Sequence, residues 1–405
     1  MNIKQLKTKA SIGVVLAVLA SPMLSVVPAS AATVTWRGYT DNLLGNSSNW
    51  DVSIPVNGDT VEFLASPSAV RTITNDISSL SLAKIVFKNQ VDGATSSTSY
   101  TISGNPLTIT GGIDAIMGGA AGDQSVELDI TLGADATFKT SGSNTLQVGD
   151  TATTLNLAAN DLTLDASGGT ISILGKITGS GTITKSGTGK VLLLTTPGTG
   201  GFTGSMAVPT GELAVNDNLG VNVTVSGGTL KGTGTVGTVT MSSGTVAPGA
   251  SPGTLNTGAL TFTGGTHAVE LGGKAAGEFD KLNVTGAVDL GTATTLDVQL
   301  VNSFKPAVND SFVIIENDAD DEVEGNFKDL EDGDTFTLGT YTYQINYDGG
   351  TGNDVVLLVT GTSAASAPDT GGGILTNPIT TIVAAFSIAA MLAGYRVYEA
   401  KKLRK

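Results

Sequence analysis

Between about residues 100 and 300 the chain repeats one short pattern. Two or three apolar residues alternate with Thr or Ser, and then Gly or Asp turns the chain, as in "TLQV", "TLNL", "LTL", "TISIL", "GTITK" and "KVLLL". The apolar partners are two apart: Leu146/Val148, Leu155/Leu157, Leu162/Leu164, Ile171/Ile173 and Val191/Leu193. A period of two places each pair on one face of a strand, with Thr on the other. Turn residues recur every ~7 to 12 positions, the spacing of an all-β protein. Between Ala32 and Thr370 no stretch carries a convincing helical period.

Two architectures fit short strands in such numbers, a sandwich and a solenoid. A sandwich of this size needs longer strands and several domains. A solenoid needs only that each coil turns its apolar residues inward and stacks on the next. Brief strands and an aromatic content of 5% favour the solenoid. The pattern predicts Leu146, Leu155, Leu164, Ile173, Ile183 and Leu193 inside. A stack must close its ends. A Trp-containing β segment at 32–99 is expected to cap one end of the 100–300 repeats. A β segment at 301–358, where Phe304, Phe312, Phe327, Phe336, Tyr341, Tyr343 and Tyr347 gather, is expected to cap the other.

The two ends of the chain carry a different pattern. Lys4, Lys7 and Lys9 precede the apolar "ASIGVVLAVLA", and small residues follow at Ala29, Ala31 and Ala32. This is the layout of a secretory signal peptide, residues 1–31, cut by signal peptidase after Ala31. At the far end a Gly/Ser/Ala linker (359–378) leads to an apolar run, Ile379 to Tyr395, and a basic tail, 396–405. About 17 residues at ~1.5 Å each make ~26 Å of helix, enough to cross a bilayer core. The basic tail places that end in the cytoplasm. The chain has no cysteine, so its stability comes from burial and backbone bonding rather than disulfides.

Charge narrows the partners. The whole chain carries −15, and the part between the two terminal signals holds 13 basic against 35 acidic residues. A surface so acidic repels nucleic acid, and no nucleic-acid partner is expected.

Within the linker stand Ala367, Pro368, Asp369, Thr370 and Gly371. A short motif, an apolar span and a basic tail in that order resemble the LPXTG-type sorting signal of wall-anchored surface proteins. Four of the five positions match, with Ala367 where that family has Leu. The resemblance implies a sortase that cuts between Thr370 and Gly371 and joins the Thr370 carbonyl to a peptidoglycan amine. The alternative is a permanent single-pass anchor. A second resemblance covers most of the remaining chain. "GSGTITKSGTGKVLLL" and "FTGSMAVPTGELAV" are similar to the autotransporter-associated β-strand repeat, at Lys185, Gly187, Gly189, Leu193, Gly204, Gly211 and Leu213. Residues Ser226 to Leu255 resemble the coil that follows it. Trp36, Gly38, Asn49, Trp50, Pro55, Gly58, Asp59 and Phe63 follow the cap of such passengers. This likeness implies a right-handed parallel β-helix displayed outside the cell. The outer-membrane barrel of autotransporters has no counterpart in this sequence.

Candidate chemistry is sparse. His267, the single histidine, is expected on the solvent side of a strand in "GGTHAVEL". Without Cys and with one His, neither a zinc site nor a nucleophilic triad can be assembled. Asp161 and Asp165 flank "LTL" and share the outer side of a strand, the one carboxylate pair open to a glycan-cleaving reading. "GGTGNDVVL" matches a single calcium-binding nonapeptide turn, and "NDADDEVEGNFKDLEDGD" lacks the glycine of an EF-hand loop because Val323 stands there. Neither metal nor other cofactor is expected, and the acidic stretch reads as a solvated loop. The sequence therefore predicts a structural or adhesive protein, not an enzyme, that binds a ligand on a host or other cell surface. The competing reading is a glycan-active enzyme on the same scaffold.

Overall fold

The computed structural model describes residues 31–65, 71–89, 98–117, 122–194, 201–318 and 321–362. Residues 1–30 of the leader, the Ala367–Gly371 motif and the apolar run from Ile379 lie outside them. Among the described residues the structure is β throughout, with one 3-10 turn at Ser47–Asn49, and no helix there is long and apolar enough to cross a membrane.

The strands form a parallel β-solenoid of about ten turns. Neighbouring coils are ~4.8 Å apart, so the stack is a rod on the order of 50 Å long. Three columns of strands run along it. One begins Thr33–Trp36, Thr60–Ala65, Leu80–Asn89 and continues to Leu260–Phe262, Val288–Asp289 and Val323–Glu324. A second runs from Thr72–Asn75 and Thr101–Gly104 to Thr266–Leu271 and Thr295–Leu300. The third includes Ile130–Leu132, Thr154–Asn156 and Lys176–Thr178, and later Thr254–Thr257, Lys281–Val284 and Ser311–Glu316. Parallel stacking thus reaches beyond 100–300 on both sides: the segment 32–99 itself supplies coils, and the last rung is Val323–Glu324. The spacing tightens in mid-rod, where Thr224 and Thr240 are successive rungs of one column.

The alternation explains the stacking. Inward positions from successive coils fall in register and make continuous apolar columns. Ile73, Ile102, Val126, Val148, Ile173, Leu193 and Val215 form one. Val34, Val61, Ile85, Ile113, Phe138 and Leu164 form another. All six residues predicted to be internal are buried. Each such side chain contributes roughly 1.5–3 kcal/mol by leaving water. Outward positions from the same strands carry Thr33, Thr60, Thr137, Thr163, Thr184, Thr224, Thr240 and Thr261. β-Branched Thr suits the pleat and leaves a hydroxyl in water.

The ends close differently. At the first rung an aromatic column begins, Trp36 over Phe63 over Phe87, with Trp50 edge-on to Trp36 at 5.2 Å. Residues 49–51 cross the outer edge of Thr33–Trp36: Arg37 N–H donates to Asn49 O (2.7 Å) and Asp51 N–H to Thr35 O (3.1 Å). Trp36 and Trp50 are both buried, which removes them as sugar-stacking platforms. At the other end Ser311–Glu316 pairs antiparallel with Asp354–Thr362, followed by Tyr341–Gly349 and Thr335–Leu338. Phe279, Phe304 and Phe312 pack there edge to face.

Candidate functional site

The acids come first, because they are numerous and the repeat gives them a place. At corner after corner an Asp or Asn accepts a backbone N–H from the strand of the next coil. Asp123 takes Thr145 N–H (2.9 Å), Asp129 takes Thr154 (2.7 Å), Asp135 takes Asp161 (2.9 Å) and Asp161 takes Thr182 (2.7 Å). Asn57, Asn216 and Asn222 do the same for Ser81, Thr233 and Thr238. At these corners a side chain, rather than a backbone carbonyl, accepts an N–H at or beside a strand end. These residues staple coil to coil.

This arrangement separates the pair proposed from sequence. Asp161 and Asp165 do lie on the outer side of Leu162–Ser167, but each is engaged with a different coil. Asp161 holds the Thr182 amide, whereas Asp165 accepts from Ser167 Oγ (2.6 Å) and pairs with Lys139 (3.3 Å).

Three of the buried titratable side chains, Lys185, His267 and Asp280, have the shifted pKa values that a reacting group would show. Lys185 continues the column of Phe138 and Leu164 and is fully enclosed. Its Nζ donates to the carbonyls of Ser186 (2.6 Å) and Gly187 (2.7 Å), closing the corner from inside. Burial lowers its pKa to about 8, against the opposing pull of Asp165 and Glu212. Gly211 of the next coil (φ +70°) covers the ammonium, and a Cβ there would collide with it.

His267 corrects the sequence expectation. Its side chain is in the interior, not on the solvent side. It extends the column Leu146, Ile171, Val191, Leu213, Leu230, Val246, and Leu296 follows it. The reason is parity: in "THAVEL" the histidine is in step with Val269 and Leu271, both buried. The ring stacks on Phe327 at 5.9 Å, and Nδ1 lies 3.4 Å from Val246 O. Burial lowers its pKa to about 4, outweighing the backbone of Val246 and Ile314.

Asp280 is 2% exposed, and burial raises its pKa to about 7. Its two oxygens accept from Gly253 N–H (2.7 Å) and Glu270 N–H (3.0 Å). A carboxyl group held protonated near neutrality is what a general acid needs. Here, however, both oxygens serve the turn and the group is closed to solvent. The same holds for Lys185 and His267, so these shifts mark internal supports rather than reacting groups.

The acidic C-terminal stretch is tied down by the turn that resembled a calcium motif. Asp354 accepts from Asn317 N–H (2.9 Å) and Thr351 N–H (3.0 Å), and Asn353 Nδ2 donates to Asp321 O (2.7 Å). Beside it a hollow of about 330 Å³ is lined by Ala287–Asp289 and Asp321–Glu324. Among the described residues no three acids, histidines or cysteines converge in a metal-holding geometry.

Of the signal-peptidase residues, Ala31 and Ala32 are described and Ala29 is not. Ala32 is docked on the first coil: its N–H donates to Asp59 Oδ1 (2.9 Å) and its carbonyl accepts from Thr60 N–H (2.8 Å). Nearby, Asn49 is buried and fully used, accepting from Thr40 N–H and donating to Asp41 Oδ1 and Leu43 O. Sequence reasoning missed the corner acids, although their position just ahead of each strand was visible. The sorting residues Ala367, Pro368, Asp369, Thr370 and Gly371 lie outside the described residues. Compared with known proteins, the chain matches no family model, no curated protein and no solved structure.

Proposed function

We propose that this chain is an exported, surface-displayed β-helix, right-handed as its repeat resemblance implies, with a structural or adhesive role. In this reading signal peptidase releases it after Ala31. A sortase then joins Thr370 to peptidoglycan, and the segment from Gly371 onward is discarded. One observation supports it above the others: the outer side of the rod is a continuous ladder of short hydroxyl side chains and cross-coil ion pairs. These pairs include Lys88–Glu62 (2.7 Å), Lys84–Asp114 (3.0 Å) and Lys190–Glu212 (2.8 Å). Such a surface suits contact along its length better than chemistry at one point. The ligand in this reading is a glycan or protein on a host or neighbouring cell.

Thr370→Ala tests the attachment. Under sorting the variant stays full length, is extracted by detergent and is missing from the wall fraction, whereas wild type is wall-bound and ends at Thr370. Wild-type protein that retains the Arg396–Lys405 tail would refute sorting and leave a membrane-anchored rod. The competing glycan-active reading rests on the hollow bearing Asp289, Asp321, Glu322 and Glu324. New reducing ends from a polysaccharide panel, lost in Asp289→Asn, would favour it.

A further inference from the structure

We infer that Asp59 is a preformed socket for the α-ammonium created when the leader is removed. The inference rests on the export reading, which places the cut between Ala31 and Ala32. Asp59 is 2% exposed. Its Oδ2 accepts from Val56 N–H (3.0 Å), and its Oδ1 accepts from Ala32 N–H (2.9 Å). Among the described residues, none of the ion pairs includes Asp59. Lys84, in register with Thr60 one coil on, is committed to Asp114. Among the described residues the carboxylate thus has two amide donors and no cation, an arrangement that costs free energy.

Hydrolysis of the Ala31–Ala32 peptide bond changes one donor. Water adds across the bond, Ala31 leaves with a carboxylate, and the Ala32 nitrogen takes up protons to become an ammonium. That nitrogen already stands at hydrogen-bonding distance from Asp59, so the neutral amide bond becomes a charge-assisted one without movement. Thr60 N–H, bonded to Ala32 O, holds the residue in place. Among the described residues the first strand is the end rung of the rod, paired in the parallel stack only with Thr60–Ala65. Fixing its first residue secures the rung on which the later coils rest. Removal of the leader then both releases the protein and locks its first coil.

The test uses mature protein processed from the full chain. Mass spectrometry first identifies the amino-terminal residue. The rate of acylation of the α-amine by a small amine-reactive ester is then measured at pH 8. The lysines serve as internal references, and wild type is compared with Asp59→Asn. Only the neutral amine reacts; at pH 8, where a free α-amine is about half neutral, an ion pair that raises its pKa by one unit cuts the neutral fraction about fivefold. The expected result is an Ala32 terminus that reacts about fivefold more slowly in wild type than in Asp59→Asn. Should that variant not fold, the synthetic peptide of residues 32–36 supplies the unprotected rate. Equal rates with an Ala32 terminus overturn the socket and leave export standing. A terminus other than Ala32 overturns the cleavage assignment, and the socket with it.

Discussion

Raising the pH from 7 to 9.5 is expected to stabilise this protein through Lys185. The side chain is fully enclosed, and burial lowers its pKa from 10.5 to about 8. In the unfolded chain Lys185 keeps its proton up to about pH 10.5; in the folded chain it gives it up near 8. Between those values the unfolded state binds more protons, so stability rises with pH. The full window corresponds to on the order of 3 kcal/mol, at ~1.4 kcal/mol per unit, and about 2 kcal/mol is gained by pH 9.5. The useful range stops near pH 10. Tyr100, Tyr343 and Tyr347, pushed up to about 12 by burial, hold their protons longer folded than unfolded, so they reverse the trend above that. The assay is urea denaturation followed by circular dichroism at pH 7.0, 8.0 and 9.5, on wild type and Lys185→Met. The quantity of interest is the difference between the two proteins, which cancels every other titrating group. Wild type should gain about 2 kcal/mol on the variant between pH 7 and 9.5. A difference that is flat or moves the other way would refute the reasoning.

His267 and Asp280 act on the acid side with opposite signs. His267 (about 4 folded, 6.5 unfolded) costs stability as pH falls from 6.5 to 4, whereas Asp280 (about 7 folded, 3.8 unfolded) adds stability as pH falls from 7 to 4. Wild type should thus be nearly flat there; His267→Leu should gain on acidification and Asp280→Asn should lose, read from melting curves at pH 4, 5, 6 and 7. At the corners, Asp161→Ala should cost about 1 kcal/mol by stranding the Thr182 amide, and Asp161→Asn, which keeps the acceptor, should lie within about 0.5 kcal/mol of wild type; equal losses in both would refute the stapling role. Leu164→Asp places a charge in a dry column beside Phe138 and Lys185 and should abolish cooperative unfolding, seen as loss of the β signal at 25 °C.

The architecture was legible because a period of two in very short runs, with few aromatics, favours stacked coils over a sandwich. Leu146, Leu155 and Leu193 point inward from short stacked strands, as their alternation implied. The limits of the stack were less legible. "TVTW" and "TVEFLA" obey the same alternation, yet their aromatics suggested a separate cap; Trp36, Phe63 and Phe87 are instead one interior column at the wide first coils. His267 was misplaced because residue chemistry was weighed above parity. A neutral imidazole tolerates an apolar column when an aromatic ring and a carbonyl flank it, as Phe327 and Val246 do. The corner acids were unreadable for another reason. The N–H groups they accept from are backbone amides about one coil away, such as Thr154 for Asp129, and that distance is fixed only when the coil length is known.

The corner acids and the acidic end then belong to one argument about edges. A parallel stack presents open strands at both ends, and a second copy could extend it head to tail or join it head to head. Head-to-tail growth needs the free edge of Thr33–Trp36, but residues 49–51 already occupy its donors and acceptors, with Asp51 Oδ1 taking Thr35 N–H (2.8 Å). Head-to-head joining needs the last rungs, Thr295–Leu300 and Val323–Glu324. Those rungs expose Asp297 and Glu324, with Asp289 one coil behind. Two carboxylates brought to the ~4.8 Å strand spacing repel by about 1 kcal/mol per pair even in water, and an approaching end brings several. Asp289, Asp297 and Glu324 thus oppose end-to-end growth at this end. The backbone covers one end of the rod, and charge opposes stacking at the other.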